Sequence, residues 1–368
     1  MNVISSYPSV TLAVIAFVAS FVMGFPIRVV LRWWGVVDLP NTRSSHDRPT
    51  VRGGGIAIIT ALAAVSLTAV GPSGSDRQVW GSLILAAVAL ALISFLDDWK
   101  SLPTGLRLGF HALASVFSLS ALGWPQILLA VSADMVWSLP LWCSSMMLCL
   151  WIVGYTNAFN FMDGVNGIAS TQALITALGT GLLGAIAGGG WSSLPILVSF
   201  VIAGAAAGFL PHNFPRARMF MGDVGSAPLG FLLASLTIWM AKVVGWWLLI
   251  PISLLHANFV LDTFITLVRR IIRGERWDGA HREHFYQRLI RSGKSHAFVT
   301  TAEVMLQCVV LSLMIAYLHA AWITRLVLIL IVIALWLAFF TYCEALFRRS
   351  GRSAVRAKQP SDTEVAPI

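Results

Sequence analysis

The stretch VWGSLILAAVALALISFLDD, residues 79–98, decides how the rest of the chain is read. It carries no charge until its last two residues, the neighbouring carboxylates Asp97 and Asp98. An uncharged run of this length comes close to the roughly 20 residues that a helix needs to cross the hydrocarbon layer. Acids at the end of such a run are costly, and they usually mark function.

The chain around it has the same character. Its 368 residues are 57% hydrophobic and only 11% charged, with a mean hydropathy of +0.80. A soluble domain carries about 25% charged residues, so lipid is the main solvent here. Eleven apolar stretches can be drawn, at 9–31, 53–71, 79–96, 106–122, 137–156, 168–187, 192–210, 226–242, 245–268, 299–319 and 322–346. The first has no basic n-region and no small-residue cleavage site, so it reads as a span and not as a removed leader. The expected fold is all-α and polytopic, with about eleven transmembrane helices, ten being the alternative count. Residues 1–347 form a single transmembrane domain, and 348–368 a polar tail expected to be disordered. Cys143, Cys149, Cys308 and Cys343 are scattered through apolar runs without metal-ligand spacing, and read as small core residues.

Lysine and arginine set the orientation. With the N-terminus on the periplasmic side, all but Arg77, Lys242 and Arg325 of the 25 basic residues fall on the cytoplasmic side or its helix ends. The C-terminus is then cytoplasmic. The formal charge of +9 is thus a matter of topology first. It also suits anionic lipid headgroups or a phosphate substrate. No basic, aromatic-interleaved soluble face exists, so nucleic acid is not an expected partner.

Five segments on that cytoplasmic side hold the unusual residues. The first runs from Asp38 through Pro40, Arg43 and His46 to Arg52 and the glycines 53–55. Glycines let backbone approach a ligand closely, and N–H groups beside arginines can cradle phosphate. The second is Asp97-Asp98 with Arg107 and His111. Neighbouring carboxylates raise one another's pKa and can bind Mg²⁺ or act as a base. The third holds Asn157, Asn160 and Asp163, three residues apart and so on one face if helical, followed by Gly164 and Gly167 at a turn. The fourth places Asp223 between glycines directly before a span, which suits a Mg²⁺ ligand that bridges substrate phosphates. The fifth runs from Asp278 through His281, Arg282 and Glu283 to His284 and Arg288. The two histidines lack a third ligand for zinc, and their arginine-rich setting favours phosphate contact. Each segment alone also reads as something ordinary: a charged loop, a helix-end anchor, a turn, an N-cap.

Together and in this order the five segments resemble the polyprenyl-phosphate N-acetylhexosamine-1-phosphate transferases over about residues 30–295. Asp97-Asp98 match that family's aspartate pair. Asn157, Asn160, Asp163 and Gly164 match its Asn-x-x-Asn-x-x-Asp-Gly segment. Asp223 matches the aspartate of its Met-Gly-Asp-x-Gly-Ser segment, where members bind Mg²⁺, and His281 and His284 match two positions of its histidine loop. Asp38, Pro40, Arg43, His46 and the glycine run match its first cytoplasmic loop. The chain departs from the family's pattern at Arg107, His111, Glu283 and Asn166, which bears on the sugar. The form His-Arg-Glu-His-Phe-Tyr-Gln-Arg-Leu of the histidine loop looks like the branch that initiates O-antigen.

The resemblance implies a multi-pass enzyme of the bacterial cytoplasmic (inner) membrane. It transfers a sugar 1-phosphate from a UDP-N-acetyl sugar to undecaprenyl phosphate and releases UMP. Its cofactor is Mg²⁺, with Mn²⁺ as the alternative, and Asp223 is the metal residue. Asp97, Asp98, Asp223, His281 and His284 take the catalytic roles. Asn157, Asn160, Asp163, Gly164, Arg43, His46, Arg52, Arg107 and Arg282 bind substrate. Membrane lipids are partners, and a homodimer is compatible with the family. A secondary transporter would hold its ionisable residues near the bilayer midplane, often in inverted repeats. Here most acids lie at one face, and no repeat is visible.

Overall fold

The computed structural model describes residues 8–40, 49–69, 74–100, 102–130, 136–276 and 281–358. Arg43, His46 and Asp278, singled out above, lie outside the described residues.

Helix α1 (Pro8–Trp33) leads through a short antiparallel pair, β1 (Val37–Asp38) and β2 (Thr50–Val51), into α2 (Gly55–Ala69). Next come α3 (Ser75–Lys100) and α4 (Thr104–Ala121). A second antiparallel pair, β3 (Leu128–Ala130) and β4 (Val136–Ser138), precedes α5 (Leu141–Met162). Helices α6 (Ile168–Gly184), α7 (Leu194–Asn213) and α8 (Asp223–Val244) follow. The chain continues as α9 (Leu249–Leu254), α10 (Ala257–Ile272), α11 (Phe285–Arg291), α12 (His296–Leu318) and α13 (Trp322–Lys358). The last helix therefore runs past residue 347, where the sequence reading ended the transmembrane domain.

Among the described residues each of the eleven apolar stretches falls mainly on helix, the stretch from 137 beginning in β4, and the fold is all-α. Among the described residues, seven helices are long and apolar enough to cross a membrane, and the α9–α10 pair, bent by 70°, makes an eighth. Of the other three, α2 is only 15 residues long. Helices α4 and α5 carry polar residues along their length, among them Arg107, His111 and Ser115, and Ser144, Asn157 and Asn160. The protein is a multi-pass membrane protein.

Helix α8 is the hub. It is buried without interruption from Val224 to Ala241, whereas α1 is open along most of its length. A helix that is apolar all round can bury every face. Small residues let its neighbours come close. A Cβ on Gly55 would stand 2.2 Å from the Cα of Gly225, so the start of α2 meets the start of α8 backbone to backbone. The N–H groups of Gly54 and Gly55 donate to the carbonyls of Phe220 and Met221, each at 2.8 Å. The glycine run expected to cradle a phosphate spends these donors on helix packing instead. On the outer surface, Val14 and Val29 of α1, Leu113 of α4, and Leu326 and Leu330 of α13 stay exposed, as lipid contact requires.

This packing brings one set of helix ends together. The last turn of α3 and the first turns of α4 and α8 converge, joined by the end of α5 and by the loop before α2.

Candidate active site

Asp223 opens α8. Gly222 before it has φ 73°, a left-handed conformation that glycine adopts without strain, and this turns the chain into the helix. A carboxylate in a first helical turn is favoured by the helix dipole. Arg52, just beyond β2, reaches between two acids: its Nη2 lies 2.8 Å from Asp223 Oδ1 and 2.8 Å from Asp98 Oδ1. Arg107, in the first turn of α4, pairs with Asp97 Oδ2 at 2.9 Å and stands 3.8 Å from Asp223 Oδ2. Asp97 Oδ1 accepts the Leu102 N–H at 2.6 Å, which ties the end of α3 to the start of α4.

Helix α5 closes the group. Asn160 Nδ2 donates to Asp223 Oδ2 at 3.4 Å, and Asn160 Oδ1 accepts from Ser226 Oγ at 2.5 Å. Asn157 donates to the Val153 carbonyl at 2.7 Å and lies beside His111. Asp163 ends the helix next to the Gly222 N–H. Asn157 and Asn160 share a face, as their spacing predicts. With Asp97, Arg107, His111 and Asp223 they line one cavity. An apolar groove of about 270 Å³ between α3 and α4, lined by Leu85, Phe110, Leu113 and Phe117, shares Leu90 and Ile93 with that cavity. On the other flank of Arg52, a larger cavity of about 700 Å³ is bounded by Trp34, Val36, Asp38, Phe95 and Asp98.

The charges are interlocked. Burial alone would lower the Arg52 pKa, but Asp223, Asp98 and Asp38 outweigh it and raise it. Burial, then Asp223 and Asp98, push the Asp163 carboxyl well above the ordinary range, with Arg52 opposing. Both Asp98 oxygens are buried, and neither makes a hydrogen bond of good geometry among the described residues. Arg107 Nε and His111 Nδ1 share that condition.

The histidine loop docks on the end of α5. Tyr286 Oη donates to the Phe161 carbonyl at 3.0 Å, and a Cβ on Gly164 would stand 2.2 Å from that oxygen. His284 is buried, with Nδ1 2.9 Å from Asp262 Oδ1 of α10, and its ring centroid lies 4.9 Å from that of His281. Burial, with His284 and Arg270 adding to it, lowers His281 to about 4. Arg282 belongs to this loop and not to the carboxylate group; its carbonyl accepts from Arg291 at 3.1 Å. From the far side, Glu344 of α13 pairs with Arg288 and, at 3.4 Å, with Arg269.

The chain is similar in sequence to known proteins. The sequence profile of glycosyl transferase family 4 matches residues 80–241. Decaprenyl-phosphate N-acetylglucosaminephosphotransferase of Mycobacterium tuberculosis is 30% identical over 311 residues, covering 77% of each chain. The chain belongs to glycosyl transferase family 4. A second relative in the family, the probable undecaprenyl-phosphate N-acetylglucosaminyl 1-phosphate transferase of Bacillus subtilis, is 29% identical over 281 residues, 71% of this chain and 72% of that one. Phospho-N-acetylmuramoyl-pentapeptide-transferase of a Synechococcus species is 31% identical over 235 residues, 60% of this chain and 65% of its own.

The carboxylates of this family 4 member suit Mg²⁺ in one particular way. No three His, Cys, Asp or Glu side chains converge among the described residues, so a protein cage for a metal is absent there. Mg²⁺ needs no such cage, because it takes one or two carboxylates and fills its shell with waters and substrate phosphates. Half-open Asp223 and the Asp98 oxygens fit that demand. Sequence reading did not mark Asp262, Glu303 or Glu344. Asp262 and Glu303 stand inside apolar stretches, where a lone carboxylate is itself a signal.

Proposed function

We propose that the chain transfers an N-acetylhexosamine 1-phosphate from a UDP-sugar to undecaprenyl phosphate. UMP is released, and the lipid-pyrophosphoryl sugar that remains initiates O-antigen or another cell-surface polysaccharide. One observation carries this reading. The charged cavity around Asp223 lies beside an apolar groove, and Leu90 and Ile93 line both. An acceptor with a phosphate head and a hydrocarbon tail needs that pairing of surfaces. The relatives' names, which specify decaprenyl phosphate or undecaprenyl phosphate as acceptor, support the same class of substrate.

Both reactants are anions, so their approach requires neutralisation. Arg107 lines the cavity and Arg52 pairs with Asp223 beside it, and an arginine fork matches phosphate oxygens in pairs. A lipid phosphate oxygen attacks the β-phosphorus of the donor, the bond from that phosphorus to the bridging oxygen breaks, and UMP departs with the electron pair. The lipid phosphate is already mostly dianionic near neutral pH, its second pKa being about 6, so Asp97 and Asp98 matter more for placing the cationic groups than for taking a proton. Mg²⁺, held by Asp223 with Asp98 nearby, supplies charge stabilisation for the pyrophosphate when bound. Asn157, Asn160 and Asp163 orient the donor or line the metal position.

In the same reading the chain crosses the bacterial inner membrane eleven times. Its N-terminus is periplasmic, and its reaction centre and C-terminus are cytoplasmic. The purified protein is incubated with undecaprenyl phosphate, Mg²⁺ and a panel of UDP-N-acetyl sugars. UMP release that requires the lipid, stops with EDTA and favours one sugar is the expected result. A folded sample that releases no UMP from any donor would overturn it.

A further inference from the structure

Asp262 lies outside every segment that the motifs mark, yet among the described residues it accepts from Thr266, Phe285 and Tyr286 and pairs with His284. Its side chain is only 1% exposed, within the bent α9–α10 element. Oδ1 lies 2.9 Å from His284 Nδ1 and accepts from Thr266 Oγ1 at 3.2 Å. Oδ2 accepts the N–H of Phe285 at 2.9 Å and that of Tyr286 at 3.4 Å. One carboxylate thus holds the imidazole and the first turn of α11 together. A carboxylate buried this deeply is stable only when its lone pairs are met in this way.

The consequence concerns the other ring nitrogen. With Nδ1 committed to Asp262, Nε2 is the nitrogen left for a ligand. The ring also lies near the candidate site: its centroid is 6.4 Å from that of Phe161, which lines the cavity with Asp223, Asn160 and Arg107. We infer that Asp262 is a positioning residue. It fixes the proton of His284 on Nδ1 and turns Nε2 toward the donor's phosphates. The same carboxylate sets the start of α11, so the ring and the loop move as one unit. The activity arm of the test rests on the transferase reading; the spectroscopic arm does not.

The activity arm compares wild type with Asp262→Asn, His284→Asn and the double variant. It measures kcat and KM for UMP release together with the thermal midpoint of each protein. The amide in Asp262→Asn cannot accept from the imidazole and from both backbone N–H groups at once. The expected result is a kcat loss of roughly ten- to a hundred-fold, the usual range when a carboxylate that orients a working histidine is replaced. KM should change little. His284→Asn keeps a donor where Nδ1 stood and removes Nε2, so Asp262→Asn should cost nothing further in that background. Wild-type kcat in folded Asp262→Asn, or a loss that persists in full beside His284→Asn, overturns the inference.

The spectroscopic arm serves if Asp262→Asn fails to fold. Nitrogen-15 spectra of histidine-labelled wild type, with His284 assigned by difference from His284→Asn, report which ring nitrogen bears the proton. Protonated Nδ1 supports the inference, and a neutral ring protonated on Nε2 overturns it. If wild type releases no UMP, that failure belongs to the transferase reading, and the spectrum still decides the role of Asp262.

Discussion

Arg52 and Asp223 stand 171 residues apart in the chain and 2.8 Å apart in space. The same Arg52 nitrogen reaches Asp98 at 2.8 Å, so one guanidinium keeps two carboxylates from repelling each other. Arg52→Ala removes that cation and the fork that meets phosphate. We expect kcat for UMP release to fall by about 10²- to 10³-fold, the range for loss of one preorganised electrostatic group. Arg52→Lys keeps the charge without the fork and should recover only part of the activity. Equal rates for wild type and Arg52→Ala would remove Arg52 from the site.

Asp223 and Asp97 should separate in their metal dependence. Asp97 is occupied by Arg107 and by the Leu102 N–H, whereas Asp223 is partly open. Asp223→Asn is expected to raise the Mg²⁺ concentration for half-maximal UMP release by at least roughly ten-fold. Asp97→Asn should lower kcat with little change in that concentration. A Mg²⁺ titration of both variants checks the pair, and an unshifted Asp223→Asn curve would take the metal away from Asp223.

The pH dependence has a definite sign at Asp163. Burial and the neighbouring acids raise its carboxyl well above the ordinary range, so the folded protein holds this proton more tightly than the unfolded chain. Its contribution to stability is complete below the unfolded value of about 3.9. It is lost as the pH rises through the raised folded value. Without divalent cations, the thermal midpoint of wild type should therefore fall with rising pH relative to that of Asp163→Asn. A constant difference from pH 5 to 8 would contradict this. His281, lowered to about 4, is neutral throughout that window, so His281→Gln should leave the shape of the pH–rate profile unchanged.

Gly164 and Tyr286 make a paired test of how the histidine loop docks. A methyl group at Gly164 would stand 2.2 Å from Tyr286 Oη and break its bond to the Phe161 carbonyl. Gly164→Ala should destabilise the protein by about 1–3 kcal/mol, as overpacking does. Adding Tyr286→Phe removes the obstructing oxygen and should recover much of the midpoint. Independent, additive losses would mean that the two residues do not meet.

Hydropathy made the helices legible, because an apolar run has one stable form in lipid. It could not tell a helix buried in protein from one facing lipid. Helices α1 and α8 are both apolar, yet 17% of one span window is buried and 83% of the other. The single span drawn at 245–268 hid the break between Leu254 and Ala257. Asp97, Asp98, Asn160 and Asp223 were readable as candidate site residues because polar groups at the ends of apolar runs are costly. Their partnerships were not readable, since nothing local links Arg52 to Asp223. Asp262 was lost because one carboxylate scarcely lowers the mean of a long apolar window. The glycines at 53–55 were read for a ligand, whereas their partner is the start of α8.

The transfer of phosphorus is tested most directly with a UDP-N-acetyl sugar labelled with ³²P at the β-phosphate, incubated with undecaprenyl phosphate and the purified protein. Sugar 1-phosphate transfer predicts label in the organic-extractable lipid and unlabelled UMP in the aqueous phase. Label that stays aqueous as UDP, with the sugar on the lipid, would mean cleavage at the anomeric carbon and would contradict the proposed reaction.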